Sequence, residues 1–399
     1  MIKLITVVLK QLLSIYAGYY LMLIRNNNKN TQQVHTMTGS LKDSTIEDCI
    51  IKPITHFDQA RTCHTAHFRL DEMRKAALSF RDDMLAKPQV KFYRSMELIR
   101  VPYPSKYAFL NCNVIPMPFI HILNRLFVVQ VETEEGLKTI LLSPSDTEAN
   151  AETPYFKKIT DKAGPAKGLL KKFIAPEINS VEGCLKQLNL KPEDIDYISY
   201  DHLHTQDIRQ WLGDDKQPGL LPNAKLLVMK DEWESANNLM APQLDWYCPN
   251  GLKGVPEDRI IQLDGDVMIG DGLALIRTPG HTDGNHSFVA HTPEGLKVTS
   301  ENGVGPDCYA PENSRIPGLK KYAKQTGMEV ILNGNTLEGG LDQYISMVVE
   351  KTIAGNHPNY TEFPNMANSS ELTGYWGFPG YKPTVTYGDL NFGSLITKK

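Results

Sequence analysis

Tyr200-Asp201-His202-Leu203-His204-Thr205-Gln206-Asp207 and, further along, Thr278-Pro279-Gly280-His281-Thr282-Asp283-Gly284 are the stretches on which the reading of this chain turns. Each follows a short β-rich run, Tyr197-Ile198-Ser199-Tyr200 in one case and Leu273-Ala274-Leu275-Ile276 in the other, so a strand delivers each motif. In extended backbone alternate side chains share a side, and His202 and His204 therefore present both imidazoles to one ion. Pro279-Gly280 turns the chain at a strand end, which lets His281 face inward and supply a third nitrogen. An H-x-H pair alone, or a histidine beside Pro-Gly, is ordinary; the two behind buried-strand patterns argue for a bound metal, zinc being suited to such nitrogens. Asp207 stands just before Ile208-Arg209-Gln210-Trp211-Leu212, a helix start, and reads both as a site acid and as that helix's cap.

Outward from the motifs, apolar periodicity alternates between strand and helix. Leu70 to Ala86 carries helical spacing that Pro88 ends, and Val90 to Val101 is extended. Leu126–Val131 and Leu137–Leu142, joined through Glu134-Glu135-Gly136, read as a hairpin. Val181 to Leu188 is helical. Strands are expected at Lys225–Met229, Ile260–Leu263, Ser287–Ala290, Leu296–Ser300 and Glu329–Leu332, and helices at Gly318–Thr326 and Leu341–Ile353. Mixed strands and helices, with site residues at strand ends, argue an α/β class. The tail from Tyr375 to Phe392, rich in Tyr, Gly and Pro, reads as an extended segment packed over the domain.

A chain of 399 residues with 41% hydrophobic and 22% charged residues has ample material for a core. Its net charge of -4, without a dominant basic block, excludes electrostatic binding to nucleic acid and points to a small-molecule substrate. Six scattered cysteines, without C-x-x-C spacing, indicate neither a disulfide framework nor a thiolate zinc site and suit a reducing cytoplasm. Ile2 to Ile24 is largely apolar, but Leu12–Ile24 is too short to span a bilayer as a helix. It reads three ways: a peripheral membrane anchor, an uncleaved signal-like segment, or a dispensable extension. The organisation expected is an apolar segment and polar linker over 1–30, a helical extension over 31–89, and a catalytic domain over 90–399.

With its two motifs, the chain resembles the metallo-β-lactamase superfamily of hydrolases, whose signature is H-x-H-x-D-H followed by T-P-G-H-T-x-G. The similarity runs from about Val90 to Ile353 and includes Leu190–Ile198, Ala224–Val228 with Glu232-Trp233, and Asp264-Gly265-Asp266. It implies a four-layer αββα sandwich of two mixed sheets with metal at one edge. In that superfamily a histidine after the motif's Asp, a bridging Asp and a late histidine complete a two-metal centre. Aligned on Asp207, this chain has Ile208 at the first position, Glu301 offers the bridging acid, and Asn335 stands where the late histidine belongs. The resemblance thus implies one well-furnished site of His202, His204, His281 and Glu301, with zinc as the expected ion and iron or manganese as alternatives. A degenerate second position would retain Asp207, Glu301 and Asn335, a hard-oxygen set suited to manganese or magnesium.

A zinc-bound water, its pKa lowered from about 16 toward about 7, is a hydroxide source for attack on an ester, lactone or thioester. Asp207, released from a second metal, is assigned as general base. Two rival readings are an iron oxygenase resembling persulfide dioxygenases and a non-catalytic descendant with a degraded site. His286 is a strand-start residue or a donor behind the site; His291 is expected in a surface turn, and His64 and His67 in a loop. Asp307, Tyr309 and Arg315 fall where the resemblance places substrate contacts. Pro102–Asn124 and Gly303–Pro317 are expected as the loops that shape the pocket.

Overall fold

A computed structural model describes residues 50–161, 167–334, 339–376 and 380–397. The apolar segment over 2–24, its linker and Asn335 lie outside these residues. Strands of the first half are β1 (Ile51–Ile54), β2 (Phe92–Pro104), β3 (Phe119–Thr133), β4 (Gly136–Leu142), β5 (Tyr197–Ser199) and β6 (Lys225–Met229). Those of the second half are β7 (Ile260–Leu263), β8 (Asp266–Ile269), β9 (Leu273–Arg277), β10 (His286–Thr292), β11 (Gly295–Thr299), β12 (Ser370–Thr373) and β13 (Asn391–Gly393).

Two sheets result. The smaller is antiparallel, in the order β1-β8-β9-β10-β11; the larger runs β13-β2-β3-β4-β5-β6-β7, with β12 also on β3. From β4 to β7 the larger sheet is parallel, which requires crossovers. The helix Val181–Gln187 lies in the connection from β4 to β5, and Lys230–Asn237 in that from β6 to β7.

Side-chain parity builds the layers. Val129, Ile140, Tyr197 and Leu227 of the larger sheet share one buried cluster with Leu273, Leu275, Phe288 and Ala290 of the smaller. Their chain neighbours Val128, Leu141, Ile198, Leu226, Ala274, Ile276 and Val289 point the other way and pack with the helices. Period-two alternation of apolar residues on both sides of each strand leaves no face for solvent, so helices cover the outside of both sheets. The helices Ala66–Leu85 and Gly340–Ala354 pack together and over β11. Val181, Cys184 and Leu185 join Leu141 and Ile198 on the other flank. This is the four-layer αββα sandwich expected.

Several local expectations change. Within the helical extension expected over 31–89, residues 51–54 form the edge strand β1, in register with β8 from Ile51↔Ile269 to Ile54↔Asp266, and Ala66–Leu85 is one of the covering helices. Pro53, tolerated on an edge, hid that strand. Glu329–Leu332 is irregular rather than a strand, tied by single bonds such as Ile331 N–H to the Cys308 carbonyl. His291 lies buried in β10, its Nδ1 2.9 Å from the Lys87 carbonyl, rather than in a surface turn. The loop expected over 102–124 is shorter, because β2 and β3 run on as two long arms. A bulge at Leu98 marks where they bend, the register passing from Glu97↔Arg125 to Ile99↔Asn124. The tail packs on the domain: β13 adds to β2, and Tyr381 and Tyr387 are buried. Among the described residues no helix is long and apolar enough to cross a membrane.

Leu275, 1% exposed between the sheets, tests the sandwich. Leu275→Ala is expected to cost about 2–5 kcal/mol in chemical denaturation, the loss for a core leucine whose site cannot collapse.

Candidate metal centre

The three histidines arrive from two sheets. After β5, Tyr200 is anchored by its hydroxyl to the Pro144 carbonyl at 2.5 Å, and Asp201 to His204 follow at the strand end. Thr205 then takes a positive φ of 64°, with its N–H on the Trp246 carbonyl at 2.7 Å, and swings the chain away. On the other sheet, β9 ends at Arg277 and Gly280 turns at φ 136°. A Cβ at Gly280 would sit 2.2 Å from the Gln343 backbone nitrogen, so only glycine lets the turn rest on the helix Gly340–Ala354.

The ring nitrogens of His202, His204 and His281 offer one atom each within 4.8 Å of one another, and all three residues are buried. His204 Nδ1 and His281 Nε2 stand 3.3 Å apart. His281 Nδ1 lies 3.1 Å from the Asn333 carbonyl, which can only accept, so that nitrogen carries the proton and Nε2 offers its lone pair inward. His202 Nδ1 lies 3.1 Å from Asp201 Oδ1, leaving its Nε2 to face inward, 3.7 Å from Glu301 Oε2. The Ser369 hydroxyl lies between the two acids, donating to Asp201 Oδ2 at 2.7 Å with Glu301 Oε1 3.2 Å away. Three imidazoles, those of His202 and His281 oriented by acceptors behind them, with a carboxylate beside, fit a zinc-type donor set.

Charge is distributed unevenly. Burial pushes the His202 imidazole down, but the charge and hydrogen bond of Asp201, then Glu301 and Glu232, outweigh it and raise it to about 9. Burial, then the neighbouring His202, lowers His281 to about 3, and burial with His202 and His281 holds His204 well below the usual range. Burial raises Glu301 to about 7, with His202 opposing and Asp201 reinforcing the rise.

Asp207 is not brought to this cluster. Counting five residues from His202, the signature's acid falls on Gln206, and Asp207 stands where its next histidine belongs; Ile208, fully buried, is one place beyond the motif. Past the Thr205 turn, the Asp207 carboxylate is paired with Arg209 and accepts the Arg209 N–H at 3.0 Å, one place before the N-cap of the short helix, which is Ile208 and not Asp207 as expected. It lines grooves outside the chamber that the histidines face. Gln206 lines the chamber instead, its Oε1 accepting from Asn150 Nδ2 at 3.1 Å.

His286 opens β10 behind Asp201, donating its backbone N–H to the Asp201 carbonyl at 2.9 Å, and does not line the chamber. Asp307, Tyr309 and Arg315 are absent from the chamber wall; the Asp307 carboxylate binds Ser314 and Thr384, and Tyr309 donates to Glu350 at 2.8 Å. Among the described residues His64 and His67 belong to no metal-ready group; His67 is exposed on the helix Ala66–Leu85 rather than in a loop, 3.8 Å from Asp71. Asp201, within the motif, and Asn333 were missed. Asp201 was legible as an acid beside a ligand, whereas Asn333 acts through its backbone and carries no residue signal.

The chamber is about 140 Å³, and most of its exposed lining is apolar. Ile99, Val101 and Ile122 from the arms beyond the bulge, with Phe156, Ile159 and Ile174, make its apolar wall. Trp246 closes part of it, stacked on Tyr155 at 4.5 Å, and the Tyr103 hydroxyl donates to Asn333 Oδ1 at 2.6 Å.

A proton on His202 competes with any ion. Zinc affinity, measured by competition with a chromophoric chelator, is therefore expected to rise with pH up to about 9. The slope of log affinity is about one proton between pH 7 and 9 and steepens below about 7, where Glu301 also binds one. A flat profile contradicts this.

No protein-family model matches the chain. It is 30% identical over 185 residues to the N-acyl homoserine lactonase AttM of Azorhizobium caulinodans, covering 39% of this chain and 65% of that protein. An N-acyl homoserine lactonase of a Bacillus species is 28% identical over 122 residues, 31% of this chain and 43% of its own. The chain thus spans less than two thirds of the length of these curated relatives. A solved structure of a probable metal-dependent hydrolase from Staphylococcus aureus superposes with a TM-score of 0.44 at 14% identity, over 65% of this chain and 83% of that one. Histidines delivered from the ends of both sheets, on the two motifs and within an αββα sandwich, are the arrangement that the resemblance to the metallo-β-lactamase superfamily calls for.

Proposed function

We propose that this chain is a metal-dependent hydrolase that opens a lactone, or a similar ester or thioester, with an apolar acyl part. The observation that carries this reading is that three convergent imidazole nitrogens face a chamber whose exposed lining is mostly apolar. Sequence similarity to two N-acyl homoserine lactonases supports it. His202, His204 and His281 would hold the ion and Glu301 would stand beside it. A divalent ion there supplies Lewis acidity, which polarises a carbonyl oxygen and acidifies water.

The apolar wall of Ile99, Val101, Ile122 and Phe156 takes the acyl chain and excludes water from it. Hydrolysis forms a bond from water oxygen to the carbonyl carbon, breaks the bond to the ring oxygen, and moves one proton to the departing alkoxide. Glu301, whose Oε2 lies 3.7 Å from His202 Nε2 on the chamber wall, is the carboxylate placed to carry that proton. This role passes from Asp207, whose carboxylate Arg209 neutralises outside the chamber.

Zinc-, manganese- and iron-loaded protein assayed on aliphatic and N-acyl lactones, esters and thioesters tests the reading. Each added acyl methylene that fits the wall should raise kcat/KM about fourfold, the equivalent of about 0.8 kcal/mol. Glu301→Gln is expected to lower turnover by about 100-fold or more, while Asp207→Asn stays within about threefold. Failure of every metal-loaded form to hydrolyse any of these compounds overturns the proposal, and oxygen uptake by the iron form would replace it with oxidative chemistry.

A further inference from the structure

Glu232 lies in the first turn of the helix Lys230–Asn237, fully buried and outside the chamber wall. Its Oε1 accepts the N–H of Leu203, the residue between His202 and His204, at 2.7 Å. Its Oε2 accepts the hydroxyl of Thr282, the residue after His281, at 2.6 Å. The Tyr247 hydroxyl donates to Oε1 at 3.4 Å, and the Tyr247 ring packs edge-on against His204 with centroids 4.8 Å apart. One carboxylate therefore touches the immediate neighbours of all three imidazoles.

The surrounding backbone is built to bring it there. A Cβ at Gly284 would lie 2.0 Å from the Glu232 nitrogen and 2.3 Å from its Cα, so the His281 turn rests directly on the helix. The two histidine segments leave different sheets, and Glu232 spans both with charge-assisted hydrogen bonds. A carboxylate is costly to bury, and here its bonds come from three neutral donors that serve the site.

We infer that Glu232 is a positioning residue of the metal centre: it fixes the separation between the His202–His204 segment and the His281 turn, and so prepares the three nitrogens for one ion. This rests on the metal-binding reading above. Glu232 touches no substrate and acts through Leu203, Thr282 and Tyr247.

Zinc affinity of the full chain, by chelator competition, is measured for the parent, Glu232→Ala, Glu232→Gln and Thr282→Val, with the visible spectrum of each cobalt(II)-loaded form and the Tm of each metal-free form. Glu232→Ala and Thr282→Val are expected to weaken zinc binding by about 10–100-fold and to shift the cobalt spectrum. Glu232→Gln keeps an oxygen for the Leu203 N–H and meets a Thr282 hydroxyl that can turn to accept, so it should stay within about threefold of the parent. A parent that binds no zinc overturns the metal reading itself. A parent that binds, with Glu232→Ala and Thr282→Val within about twofold of it, overturns the role of Glu232 alone. A loss seen only at temperatures where the metal-free variant unfolds also overturns it; should Glu232→Ala not fold, Thr282→Val decides.

Discussion

Two imidazole nitrogens 3.3 Å apart in a buried interior, with a third close by, form the arrangement on which the rest of this molecule depends. His202 and His204 come from the larger sheet and His281 from the smaller, so their separation is the separation of the two sheets at one end. Leu275, Phe288, Val129 and Leu227 set that distance, because apolar side chains packed face to face have a fixed thickness. The core is in this sense part of the site. Gly280 and Gly284 finish the alignment by letting the His281 turn lie on backbone rather than on side chains.

The Asp207–Arg209 pair accounts for the absence of that carboxylate from the histidine cluster. A carboxylate partnered by a guanidinium is already neutralised, and the Thr205 turn has carried it out of the chamber. Gln206 takes the place facing inward and offers an amide to Asn150 and Ser145. Acid function beside the histidines therefore rests with Asp201 and Glu301, one orienting an imidazole and the other buried near the open side.

Much of this was legible because it depends on short-range patterns. Alternating apolar residues in Leu137–Leu142 and Leu273–Ile276 gave strands, and the histidine spacing gave the nitrogen ligands. What was misread depends on context. Asp207 was aligned one place off because an acid near H-x-H looks like a ligand until a positive φ at Thr205 shows where it points. Strand β1 was hidden by Pro53, and Glu329–Leu332 was apolar because it is buried, not because it pairs. Glu232 and Asn333 carry meaning only through what folds against them. The helix Ala66–Leu85 likewise packs on Gly340–Ala354, a partner far away in sequence.

Pro53 has a consequence beyond the fold. An edge strand is a template for another molecule's backbone, and β1 is one end of the smaller sheet. Pro53 has no N–H to offer there, and at the opposite end β11 is bridged by the chain around Met366 through Val298. Neither margin of that sheet presents a complete row of hydrogen-bonding groups. Among the described residues, a strand added to either margin of the sheet that carries His281 would therefore meet a broken ladder, at Pro53 on one side and at Val298 on the other.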